Sequence, residues 1–347
     1  MKVCFVQPVL TNYRLPVFSE LASCVKGRFS VLADMPSKDF GVEDAGEIKS
    51  YYCEASWKSV FNLRFPLRKE FWGELFSSSH IIHFADFKYV SLWIALSLSA
   101  LRLKKVFLHG QGGYKKTGLI ASLLYRVVVL MSDGYICYTG YSATQLKSRM
   151  PKCLRSKVFV VENSLVMKKR KPPVEVDHEL FYVGRIREGS GIELLLSAAS
   201  DVGVGVSIVG AGESAYLKEL TEKYPCARFF GGVFDEDLQY EIAAKCLAGV
   251  YAGDAGLSVV HYMAFGLPVI VHSDITHHMG PEPSYIKDGV NGILFERGCK
   301  RSLVEAIDAL KVDPELRVRL SAGAVDTFQS LSNPTMARKF FKILKGA

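Results

Sequence analysis

The chain has 347 residues, enough for two domains of ordinary size. Apolar residues make up 49% and charged residues 22%, a composition that excludes an intrinsically disordered chain. The net charge of +8 is unevenly spread: between Asp86 and Glu162 the only acid is Asp133, against twelve Lys and Arg residues.

The opening MKVCFVQPVLTNYR lacks the long apolar core of a signal peptide and reads as a first strand, Lys2–Gln7. Short β-branched and aromatic runs follow at Ser30–Ala33, His80–Phe84, Lys105–His109, Tyr135–Tyr138 and Val158–Val161. Between them lie helix-period segments such as Leu15–Val25 and Gly118–Met131. This βα alternation predicts a parallel sheet covered on both faces. Val90–Leu101 is apolar but too short to span a bilayer and reads as a buried helix. The basic stretch favours an anionic partner, and its interleaved Trp93, Phe107, Leu119, Leu123 and Leu124 suit attachment to an anionic membrane better than a nucleic-acid groove. A solvated basic face over a buried apolar one is the alternative.

After Asn163 the run VMKKRKPPVEVDHE is charged, carries Pro172-Pro173, and reads as a linker over 166–178. It divides an N-terminal domain, 1–165, from a C-terminal one, 179–330, and 331–347 is expected to form a last helix returning to the first domain. The second domain shows strands at Leu180–Val183, Val206–Val209, Arg228–Phe230, Gly249–Tyr251, Val269–Val271 and Gly292–Phe295. Its helices fall near Ile192–Ala199, Ala215–Lys223, Asp237–Ala244, Leu257–Phe265, Leu303–Leu310 and Pro314–Phe328, with Pro334–Leu344 closing the chain. The fold class is therefore α/β: two doubly wound, Rossmann-like domains facing across a cleft. The eight cysteines are scattered without a CxxC pair, so neither a zinc site nor a redox dithiol is indicated, and they read as buried free thiols of a reducing cytosol.

In open α/β sheets ligands sit beyond the carboxyl ends of the strands, and the candidate residues fall there. In YAGDAGLSVVHYMAFGLPVIV (Tyr251–Val271), Gly253 and Gly256 allow a tight turn and close approach of a ligand. A helix opening at Gly256 then presents the N–H groups of Leu257 and Ser258 to a phosphate. Arg185, after Gly184, is placed to grip phosphate oxygens, or is a surface arginine at a strand edge. Gly210 and Gly212 are expected to form a wall of a nucleotide pocket, and backbone groups of Phe230–Phe234, Val233 among them, to face a base edge. In the first half, His109 ends a strand and is either a catalytic or ligand-binding group or a satisfied core histidine. Tyr13 and Arg14 follow the first strand and are candidates for holding a phosphate or hydroxyl of a second ligand, with helix capping by Asn12 as the alternative. His277 and His278 are adjacent and point apart, a poor chelate, so no metal is expected.

The series YVGRIREGSGIELLLSAA, VGAGE, GLSVVHYMAFGLPVIV and PEPSYIKDGVNGILFE, in that order, resembles the family 4 retaining glycosyltransferases of GT-B fold. FLHG near Leu108 and VVENSL near Asn163 fit the amino-terminal half, where the match is thin. The resemblance implies transfer of a hexosyl or related sugar from a nucleotide-diphosphate sugar to a glycan or lipid-linked acceptor. It implies retention and a role in surface polysaccharide or lipopolysaccharide synthesis. With the diphosphate charge met by Arg185 and N–H groups and no Asp-x-Asp cluster, no metal cofactor is expected. The basic first half is expected to hold a cytoplasmic enzyme on the inner membrane face, with no nucleic-acid partner. The resemblance makes Glu282 the family's Pro-Glu carboxylate near the donor; a helix-capping role is the alternative. Two departures stand out. The family's paired glutamates, eight positions apart, fall on Gly253 and His261, and its lysine after the Gly-Arg loop falls on Ser190. Asp254 is then a candidate replacement carboxylate, His261 a ribose hydrogen-bonding group, and Arg187 the replacement positive charge. A GT-B epimerase and a catalytically silent membrane-associated binding module are the competing readings.

Overall fold

The computed structural model describes residues 1–35, 48–116, 118–168, 170 and 176–346. It divides into two units, 1–166 with 334–347, and 167–333. Part of the expected linker, Lys169 and 171–175, lies outside the described residues.

In the first unit the elements are β1 (Val3–Val9), α1 (Leu15–Val25), β2 (Phe29–Asp34), β3 (Tyr52–Glu54), β4 (Trp57–Val60), β5 (Leu63–Pro66), α2 (Lys69–Ser77), β6 (His80–Phe84), α3 (Val90–Ala100), β7 (Lys105–Gly110), α4 (Leu119–Met131), β8 (Gly134–Cys137), α5 (Gly140–Ser148) and β9 (Val158–Val160). Seven strands form one parallel sheet in the order β3-β2-β1-β6-β7-β8-β9. The near-continuous apolar runs of β1, β2 and β6 reflect burial on both faces. One face is covered by α2 to α5 through Phe71, Leu75, Leu92, Leu96, Val128, Val129 and Leu146. The other is covered by α1 and by the last helix of the chain, which inserts Met336, Ala337, Phe340 and Leu344. Strands β4 and β5 form a separate antiparallel hairpin whose turn residues Phe61 and Asn62 both have positive φ. Trp57 anchors it, packing edge-on against Tyr89 and donating its indole N–H to the Pro8 carbonyl at 3.0 Å.

The second unit runs β10 (Glu179–Val183), α6 (Ile192–Val202), β11 (Gly205–Val209), α7 (Ser214–Lys223), β12 (Ala227–Phe229), α8 (Glu236–Ala243), β13 (Ala248–Tyr251), α9 (Ser258–Ala264), β14 (Val269–His272), β15 (Gly292–Phe295), α10 (Lys300–Val312) and α11 (Pro314–Ser332). The closing helix, α12 (Met336–Lys345), belongs to the first unit. The second sheet is parallel with the order β12-β11-β10-β13-β14-β15, so the winding direction reverses between β10 and β13. That is the position at which a doubly wound sheet opens a crevice for ligand.

Three expectations are corrected. The helix read from Gly256 begins at Ser258, with Leu257 at its N-cap and no side-chain cap. Only Cys4, Cys137 and Cys246 are buried among the eight cysteines, all of them unbridged, and Cys153 is exposed. Asn12 caps nothing: it starts a 3-10 turn with Thr11 at its N-cap, and α1 opens at Leu15 behind Arg14, neither with a side-chain cap. Among the described residues no helix is long and apolar enough to cross a membrane.

Candidate active site

The loops after β10 and β13 meet at the reversal point, backbone against backbone. A Cβ built on Gly253 would lie 2.2 Å from the Ser190 carbonyl oxygen, and one on Gly191 would lie 2.1 Å from the Gly253 nitrogen. Only glycine allows that approach. Gly210 is equally confined, since its Cβ would fall 1.8 Å from the Gly184 carbonyl oxygen, and Gly212 is hemmed by Ile186. The glycines at 210 and 212 are therefore explained by packing between the loops after β10 and β11. Tyr262, on α9, locks the two central strands together: its hydroxyl accepts from the Val183 N–H and donates to the Val250 carbonyl, both at 3.2 Å.

Gly256 differs from these. The nearest atoms to a Cβ there belong to Met279, at 3.7 and 3.9 Å, and its φ is not in the left-handed region. Nothing in the described fold demands glycine at this position. The N–H groups of Leu257 and Ser258 beside it have no acceptor among the described residues. Helix α9 is otherwise sunk in the unit: Val259, Val260, Tyr262, Met263 and Ala264 are all buried. Leu257, Ser258 and His261 form its only partly open strip. Burial pushes the His261 imidazole down to about 4, against an opposing hydrogen bond with the Leu257 backbone, so the ring is neutral at pH 7.

Asp254 is not an open carboxylate. Its Oδ1 is shared by His272 Nε2 at 3.2 Å and by Arg297 Nε at 3.3 Å. Burial alone would raise its pKa, but these two partners outweigh it and hold the carboxyl below its ordinary value. Behind it, His278 is buried and stacks on His272 with ring centroids 3.7 Å apart. Its Nδ1 accepts from the Ala255 N–H at 3.0 Å and its Nε2 donates to the His272 carbonyl at 2.9 Å. The adjacent His277 is exposed and pairs with Asp274 at 2.6 Å, so the two histidines diverge. These contacts fix the Asp254-Ala255 backbone that leads into Gly256. The sequence gives no signal for them, because His272, His278 and Arg297 are neighbours of Asp254 only in the folded sheet.

The other predicted donor residues lie on loops of the same unit. Arg185 and Arg187 are exposed on the loop after β10, and Gly184 precedes them beneath Tyr251. Ser190 is buried, with its carbonyl against Gly253. Val233 is half-buried after β12, and its carbonyl already accepts from the Gln239 side chain at 2.6 Å. Glu282 is buried in a short 3-10 turn after β14 and folds back over Gly280, whose Cβ would meet its carboxylate oxygen at 1.9 Å. Among the described residues no three His, Cys, Asp or Glu side chains gather as metal ligands would.

Several similar solved structures align over the whole chain. The HepE protein of Anabaena, in complex with UDP and glucose, superposes with a TM-score of 0.71 at 16% identity, all of both chains being covered. The lipopolysaccharide outer core galactosyltransferase WaaB, in its apo form, gives 0.70 at 14%, over all of this chain and 99% of its own. The sucrose-phosphate synthase of Thermosynechococcus elongatus gives 0.68 at 14% with the same coverage. The fold is GT-B. By sequence, residues 166–326 match the family described as glycosyl transferases group 1, a span that is almost the whole second unit. No curated protein matches the chain by sequence.

In the first GT-B domain the predicted residues behave differently. His109 does not face solvent; it is fully buried with both ring nitrogens unpartnered among the described residues. Phe5, Tyr138 and Phe340 surround its ring. Burial, aided by the nearby Arg14 charge, holds its pKa well below 6.5, so the ring is neutral in the core of this domain. Arg14 also points inward. Its guanidinium donates to the Asn163 side-chain carbonyl and lies against the Met336 sulfur, tying three segments together. Tyr13 alone of the acceptor pair is exposed, on the loop after β1.

Proposed function

We propose that the chain is a retaining, metal-independent glycosyltransferase of the family 4 type, in a branch without the paired glutamates. It moves a sugar from a nucleotide-diphosphate sugar to a glycan or lipid-linked acceptor of surface polysaccharide or lipopolysaccharide synthesis, at the inner face of the cytoplasmic membrane. The observation that carries this reading is the pair of unclaimed N–H groups at Leu257 and Ser258, beside a glycine the fold does not require, at the sheet's reversal point. The match of residues 166–326 and the UDP bound to the similar HepE protein support it.

Negative charge grows on the leaving diphosphate as the glycosidic bond breaks. Fixed N–H dipoles and the guanidinium of Arg185, with Arg187 beside it, stabilise that charge without reorganising at the moment of reaction. The neutral His261 presents a ring nitrogen that accepts from a ribose hydroxyl as a carboxylate would, whereas a protonated ring could only donate. Glu282, held in its turn over Gly280, is the carboxylate of the donor side, and Tyr13 is the exposed contact for the acceptor.

Donor hydrolysis and sugar transfer measured across a panel of nucleotide sugars test the assignment. Arg185→Ala is expected to lower kcat/KM about 100-fold and His261→Ala about tenfold. Wild-type rates in both variants would remove these residues from the site. The missing carboxylates at Gly253 and His261 favour one competing reading, a silent binding module; a wild-type protein that binds a nucleotide sugar and turns over none of the panel establishes that reading instead.

A further inference from the structure

Helix α4 is apolar on both sides. Tyr125, Val128 and Val129 enter the core of the first domain. On the opposite side Leu119 is 91% exposed, Ile120 86%, Leu123 61% and Leu130 63%, with Val127 between them. At 3.6 residues per turn these five and Arg126 share an arc of about 120°. Helix α3 packs beside α4, and the turn following it adds the exposed Leu101 and Leu103. A soluble helix normally turns a polar face outward, and a continuous apolar stripe of this size marks a contact surface.

The stripe is held rigidly and framed by positive charge. Arg149 donates to the Gly113 and Lys116 carbonyls and so fixes the turn that enters α4. Lys157 donates to the Leu130 and Ser132 carbonyls and closes the other end. Lys115 and Lys116 are exposed just before the stripe, and Arg126 borders it, exposed but with its Nε donating to the Arg149 carbonyl at 2.8 Å. The single acid of the region is consumed: Asp133 pairs with Lys105 at 3.3 Å and accepts from Ser99 and from the Val106 N–H.

We propose that this face of α4 docks on an anionic lipid bilayer, with Leu119, Ile120, Leu123 and Leu130 entering the interfacial layer and Lys115, Lys116 and Arg126 meeting lipid phosphates. A second copy of the chain is a poor occupant, because a two-fold contact sets the two positive stripes against each other with no carboxylate to pair them. An anionic headgroup layer satisfies both the apolar stripe and its charges. The surface deepens the proposed function, since it delivers the enzyme to a lipid-linked acceptor, and it rests on that reading only there.

Co-sedimentation of the full chain with phosphatidylcholine vesicles, with and without phosphatidylglycerol, tests the proposal. Wild type is expected to pellet with the anionic vesicles only, and to be released by high salt. The combined variant Leu119→Ser/Ile120→Ser/Leu123→Ser, and separately Lys115→Glu/Lys116→Glu, should each lower the bound fraction about tenfold. Both should keep the wild-type melting temperature and nucleoside-diphosphate affinity. Wild type that ignores anionic vesicles, or a serine variant that binds them as well as wild type, overturns the proposal. So does a lipid-free dimer that the serine variant dissociates. Loss of nucleotide-sugar turnover with vesicle binding intact strikes the proposed function and leaves the docking face standing.

Discussion

Gly253 and Gly256 stand three positions apart on one loop and are glycines for different reasons. Gly253 is pressed on the Ser190 carbonyl, whereas a Cβ at Gly256 would meet only the Met279 side chain, at ordinary contact distance. Gly253→Ala is therefore expected to lose about 1–3 kcal/mol of stability in urea unfolding. Gly256→Ala should melt like wild type yet bind nucleoside diphosphates more weakly; equal affinity would mean that no ligand approaches there. The two histidines of lowest printed pKa give a second test. His83 and His261 are both held at about 4 by burial, against 6.5 when unfolded. Because the folded values are the lower ones, the unfolded chain takes up protons first. This stability is complete above pH 6.5 and is lost as pH falls toward 4, by up to about 3 kcal/mol for each ring. His83→Gln should flatten the acid limb of the melting curve, and an unchanged limb contradicts the assignment. At this scale the sequence showed which residues lie near strand ends but not which way they point. His109 and Arg14 turn into the core because Phe340 and Met336, from the far end of the chain, complete their surroundings.

At the scale of elements, strands flanked by glycine turns were legible and weakly patterned segments were not. His80–Phe84, Gly292–Phe295 and Leu15–Val25 match the structure to the residue, since each is an apolar or amphipathic run with a clear stop. The hairpin β4–β5 escaped notice because Phe61-Asn62 takes the positive-φ turn usually filled by Asn-Gly. Helix α5 escaped because it buries only Ser142, Ala143 and Leu146, and its capping box uses Ser142 where glutamate or glutamine is usual. The joint between β10 and β13 was invisible too, for Tyr262 reads as a core aromatic until its hydroxyl is seen between the strands. Tyr262→Phe leaves a buried N–H and a carbonyl unpaired and should lose about 1–3 kcal/mol. If the joint also sets the donor loops, nucleoside-diphosphate affinity falls with it; stability falling alone assigns Tyr262 to the scaffold.

At the scale of the molecule, two parallel sheets followed from the βα alternation. What no local pattern reveals is how much the first domain depends on α12. Phe340 packs edge-on against Phe5 at 5.3 Å, and Met336, Ala337 and Leu344 fill the same core. A chain ending at Asn333 should lose more than about 3 kcal/mol from the first domain. The second domain's transition should stay in place. The central claim, that the Leu257 and Ser258 amides seat a diphosphate with Arg185, is tested most directly by amide NMR during titration with UDP. The account predicts that the Leu257 and Ser258 resonances shift most, and that Arg185→Ala weakens the titration about tenfold or more. Resonances that stay still while UDP binds elsewhere would contradict it.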